Sequence, residues 1–108
     1  MVKITVYQNS NQEYVGFDSY DHAGYDDDGH DIVCAAVSAL TINCINSIEV
    51  LTGVPAETES SEEEASIRFR LLGSPTKQSQ LLLASYVLGL QSIEEDYGNF
   101  LDLVIEEV

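Results

Sequence analysis

Val33, Val37, Leu40, Cys44, Ile48 and Leu51 recur at helical spacing through residues 31–52, and no other feature restricts the fold as much. A stripe of that length predicts one long amphipathic helix with a face committed to a core. Ala35, Ala36 and Ala39 beside the stripe are small enough to let a sheet approach closely. Gly53 supplies a left-handed end to the helix, and Pro55 cannot continue it. Cys34, Ser38 and Thr41 fall on an adjacent face of smaller residues, suited to lining a groove.

The flanking stretches change period. Val2, Ile4 and Val6 alternate within residues 2–8, and Val15 and Phe17 do so within 14–20. Asn9-Ser10-Asn11-Gln12 between them is a turn cluster, so the two runs predict a hairpin. Residues 55–64 are acidic and poor in apolar side chains, which suggests a solvated connector. Ile67, Phe69 and Leu71 then share one face of a third strand, with Arg68 and Arg70 on the other. Ser74 as N-cap and Pro75 at the first helical position open a second helix running to about Asp96. Its stripe is Leu83, Val87 and Leu90, with Tyr86 and Ile93 beside it. After a turn at Tyr97-Gly98-Asn99, residues 100–106 alternate with Leu101, Leu103 and Ile105 inward as a fourth strand. The expected fold is α+β, a two-layer sandwich of a four-stranded, mostly antiparallel sheet and two helices. The order is β-β-α-β-α-β, in one domain over 1–108.

The chain carries 19 acidic against four basic residues, a formal net charge of −15. That argues against direct nucleic-acid binding, which needs a basic face; it suits a cationic partner drawn in by the field and equally a surface charged for solubility. No unbroken apolar run reaches the roughly 18 residues of a membrane helix, so no membrane partner is expected. The N-terminal stretch alternates like a strand and lacks a signal-peptide pattern, which points to the cytoplasm. Two cysteines fit a reducing compartment. On one helix Cys34 and Cys44 would lie about 15 Å apart along the axis, too far for a disulfide. Cys44, among Leu40, Ile48 and Leu51, reads as core.

Chemistry concentrates where the long helix begins. Asp31 suits the N-cap, and Cys34 would then stand in the first turn. The positive end of the helix favours a thiolate there, and the same amides can hold an oxyanion. This predicts a depressed Cys34 pKa. His22 lies across a polar loop, 21–30, and is the natural base for a Cys/His pair. A cysteine on an apolar helix is more commonly a small buried hydrophobe, so the spacing alone does not settle a catalytic role. His22, His30 and the loop aspartates match no zinc or calcium spacing, so neither metal nor cofactor is expected.

His22-Ala23-Gly24-Tyr25, then Gly29, then Asp31-Ile32-Val33-Cys34-Ala35-Ala36-Val37-Ser38 closely resembles the ribosomal-processing cysteine proteases called Prp. The likeness extends over nearly the whole chain. It implies a catalytic dyad of His22 and Cys34, with Asp31 and Ser38 supporting it. It also implies a loop, permitted by Gly24 and Gly29, that moves to admit substrate. The family usually has glycine before the histidine, whereas this chain has Asp21.

The resemblance further implies the substrate: a basic large-subunit ribosomal protein, number twenty-seven, made with an N-terminal extension that is removed during ribosome maturation. The alternative is a non-catalytic acidic assembly factor that holds such a basic protein. A redox-sensing thiol is weaker, because no resolving cysteine lies near. A homodimer is also implied, and Leu81-Leu82-Leu83 cannot all face one sheet, which supports it.

Overall fold

The computed structural model of the protein describes residues 1–21 and 30–108. Its elements are β1 (Val2–Gln8), β2 (Tyr14–Asp21), α1 (His30–Ser47), a π-helical turn (Ile48–Thr52), β3 (Ala56–Ser61), β4 (Ser66–Leu71), α2 (Lys77–Tyr97) and β5 (Leu101–Glu107). The α+β class with two helices is as expected. The sheet, however, has five strands in the order β3-β4-β2-β1-β5. It is mixed: β5 runs parallel to β1, and the other pairs are antiparallel.

The fifth strand is the segment expected as an acidic connector. β3 has no apolar alternation because it is an edge strand whose side chains are mostly exposed. Pairing with β4 brings Glu57 opposite Arg70 and Glu59 opposite Arg68, and such opposite-charge cross-strand pairs are favourable. The two arginines thus point away from the core, as the alternation of β4 requires. Arg70 also lies 2.9 Å from Asp18 Oδ1, while Tyr7 Oη donates to Asp18 Oδ2 at 2.7 Å.

α2 starts later than its Ser-Pro signal indicates. Thr76, not Ser74, is the N-cap: its hydroxyl accepts from the Ser79 amide at 3.1 Å, and Ser79 Oγ accepts from the Thr76 amide at 2.9 Å. This reciprocal box satisfies two donors, which a lone serine two residues earlier cannot do. Gly53 ends the π-helical turn at φ 67°, as expected of a left-handed terminus. Gly16 is needed for a different reason, since a Cβ there would meet the Phe69 carbonyl oxygen at 2.3 Å.

One core joins Val2, Ile4, Val6, Phe17, Phe69 and Leu101 of the sheet to Val33, Val37 and Cys44 of α1, Ile48 of the π-helical turn, and Leu83, Tyr86, Val87 and Leu90 of α2. Phe17 stacks on Phe69 at 5.2 Å and lies 4.6 Å from the Tyr86 ring. Leu51, expected in the α1 stripe, is instead exposed, because the π-helical turn breaks the period before it. Thr41, expected to face a groove, is buried and hydrogen-bonded to Tyr86 Oη at 2.8 Å. Residues His30–Thr52 are long and apolar enough to cross a bilayer, with mean hydropathy 1.5. In this fold one side of that segment supplies the core.

Tyr86→Phe should cost about 1–2 kcal/mol, because it strands the buried Thr41 hydroxyl. Adding Thr41→Val should recover part of the loss, since both partners are then apolar. Urea unfolding of the two variants measures this; a double variant no more stable than Tyr86→Phe alone would contradict it.

Candidate active site

The site is built where β2 stops and α1 starts. Asp21, the last residue of β2, pairs with Val2 of β1 and donates its amide to the Ala65 carbonyl at 3.1 Å. Its position is therefore fixed from both sides of the strand. Its carboxylate meets two side chains of α1. Cys34 Sγ donates to Oδ2 at 3.1 Å, and His30 Nε2 lies 3.1 Å from Oδ1. An ionised carboxylate can only accept, so Nε2 carries the proton in this pair. His30 is buried, and Cys34 is half-buried.

Asp31 does not take the cap position expected of it. α1 already includes His30, so Asp31 lies within the first turn. Its carboxylate is fully exposed, 3.9 Å from His30 Nδ1. Ser38 is one turn beyond Cys34 on α1, and both side chains line one cleft. His22, Gly24 and Gly29 lie outside the described residues. Among the described residues no three His, Cys, Asp or Glu side chains gather as a metal site.

The electrostatics of Cys34 run opposite to the depressed value expected from the helix start. The hydrogen bond to Asp21 is the largest influence and pushes the thiol pKa up. Burial and the Asp21 charge add to it, as does the charge of Asp31, while the nearby Ser38 hydroxyl acts in the other direction. A thiolate would face a carboxylate at contact distance, and a partial helix charge does not offset a full anion there. Cys44 is the core cysteine its neighbours predicted: it is buried, and burial alone pushes its pKa up to about 12.

Cys34 opens into a cleft of about 420 Å³ between α1 and the β3–β4 hairpin. Asp21, Ser38, Ile42, Ser61 and Ile67 share its lining. Ile42, Ser60 and Ile67 also border a second hollow of about 290 Å³, which reaches Ile45 and Thr58. The two hollows together form a groove along α1 with the thiol at one end. Its lining mixes isoleucines with serines, which suits a peptide that is apolar in part. The contacts of two members of this arrangement were not read from the sequence. Asp21 was noted as an acid in place of a glycine, and His30 was weighed only among possible metal ligands. The missing signal was the end of β2, which places Asp21 against α1.

A family model described as cysteine protease Prp matches residues 1–102. The chain is 27% identical over 101 residues to the ribosomal processing cysteine protease Prp of Bacillus subtilis, covering 90% of each. It is 32% identical over 77 residues to the ribosomal processing cysteine protease Prp of Staphylococcus aureus, covering 71% of this chain and 73% of that protein. The crystal structure of an essential ribosomal processing protease Prp from S. aureus in complex with a substrate peptide is similar throughout. It has a TM-score of 0.91 and 26% identity over 97% of this chain and 99% of that one.

Proposed function

This chain belongs to the cysteine protease Prp family, and we propose that it is a cytoplasmic endopeptidase removing the N-terminal extension of a basic large-subunit ribosomal protein, number twenty-seven. One observation carries the reading: Cys34 lines an open cleft of about 420 Å³ that shares Ile42, Ser60 and Ile67 with a second hollow. The substrate's cationic character is supported by the net charge of −15 and by Asp21 and Glu62 in the cleft lining.

The chemistry assigned to each residue follows from its type. Cys34 attacks the scissile carbonyl carbon, forming a thioester and expelling the new amine. His22, the residue after Asp21 in the chain, takes the thiol proton and delivers it to the leaving nitrogen. Water then hydrolyses the thioester and frees the thiol. Ser38, one turn from Cys34 and lining the same cleft, favours the thiolate during attack.

Incubation with the extended ribosomal protein tests this. Wild-type protein should release the extension, and Cys34→Ala should abolish release while leaving the fold intact. The thiol-raising bond to Asp21 favours one other reading, an acidic factor that binds the same basic protein without cutting it. Binding with no cleavage by wild-type protein would support that factor and contradict the peptidase.

The same proposal includes a homodimer. Leu83 is buried and Leu82 packs on the core, but Leu81 and, two turns on, Leu88 remain 71% and 65% exposed on the outer side of α2. A second copy across a two-fold axis is the usual cover for such a stripe. Sedimentation equilibrium at micromolar protein and high salt should give a species near twice 11.9 kDa. A single species near the monomer mass would contradict the dimer.

A further inference from the structure

We infer that Asp21 is a restraining residue on Cys34: it holds the sulfur as a protonated, hydrogen-bonded thiol in the resting protein and must yield it when a peptide fills the cleft. The inference rests on the reading of Cys34 as the nucleophile, and it goes beyond that reading because Asp21 stands where the family usually has glycine.

The geometry is specific. Both carboxylate oxygens of Asp21 are engaged at 3.1 Å, one by the buried His30 and one by the Cys34 thiol. The backbone of Asp21 is held by β1 and by Ala65, so the carboxylate does not drift away from α1. A glycine at this position could supply neither the acceptor nor the charge. The thiol hydrogen bond exists only while sulfur keeps its proton; deprotonation removes the donor and sets two anions against each other.

The described charged groups around the sulfur reinforce this rather than cancel it. Asp21 approaches from β2, Asp31 and His30 belong to α1, and Glu62 lines the same cleft from the turn after β3. His30 Nε2 is committed to Asp21, and Asp31 adds to the upward push on the thiol. A peptide entering the cleft meets Asp21 on its wall. A donor on that peptide, whether a backbone amide or a cationic side chain, competes for Oδ2 and frees the sulfur.

The rate of iodoacetamide alkylation at Cys34, followed against pH by peptide mapping, tests the restraint without any cleavage. Wild-type Cys34 should titrate above the ordinary thiol value of about 8.5. Asp21→Asn and Asp21→Gly should each lower the midpoint by about one unit, giving about tenfold faster alkylation at pH 7. A wild-type midpoint at or below the ordinary value overturns the inference by itself. An unchanged or raised midpoint in the variants does the same. A variant that has lost its fold shows itself when Cys44 alkylates as fast as Cys34, and the other variant then decides. Failure of cleavage with the shift present counts against the peptidase reading alone, and cleavage with no shift counts against the restraint alone.

Discussion

The buried hydrogen bond between Thr41 and Tyr86 is where the sheet, α2 and α1 meet. Tyr86 reaches it from α2 while packing its ring on Phe17, which in turn stacks on Phe69. That chain of contacts fixes the rotation of α1 about its axis. Cys34 precedes Thr41 by two turns, which on an ordinary helix leaves the two within about 20° of one direction. With Thr41 aimed into the core, Cys34 is aimed at the end of the sheet, where β2 stops at Asp21. Ser38 and Ile42 lie further round the same side, toward β3 and β4, and they line the cleft there. The placement of the sulfur is thus a consequence of core packing.

What the sulfur meets at that place is decided by the strand rather than the helix. A helix start favours an anion, but its partial charge spreads over several amides and weakens beyond the first turn. The Asp21 carboxylate carries a whole charge and touches the thiol. The electrostatic setting of the sulfur is therefore set by the end of β2. A protein acting on a precursor in a crowded cell gains from a thiol that is idle until its cleft is filled, since thiolates are the form that oxidises and alkylates.

Much of this was legible in the residues, and the failures have physical causes. Burial periodicity found both helices, β1, β2, β4 and β5, because each buries one face. It missed β3, whose Ala56-Glu57-Thr58-Glu59-Ser60-Ser61 run buries almost nothing and is held by main-chain pairing and by glutamates facing arginines. It could not give the parallel pairing of β5 with β1, since alternation carries no direction. The α2 start was displaced because Ser74-Pro75 and Thr76 with Ser79 both satisfy local rules, and only the second closes a reciprocal box. At the site, Cys34 and Ser38 line one cleft, as the smaller-residue face of the helix suggested. Asp31 is not the cap, since its carboxylate faces solvent, and the contacts of Asp21 and His30 were not legible because they depend on the strand end meeting the helix start. Thr41 was assigned to the groove because a hydroxyl on a helix face suggests exposure; its partner Tyr86 lies 45 positions away, beyond the reach of local pattern.

The central claim is that the Cys34 sulfur forms a bond to the substrate's acyl carbon. Acid quenching within the first turnover, followed by intact-mass measurement and peptide mapping, tests it most directly. The account predicts a species heavier than the chain by the mass of the removed extension less one water's worth of atoms, with the acyl group on Cys34. Cleavage with no such species under conditions that preserve thioesters, or an acyl group on Cys44 instead, would contradict it.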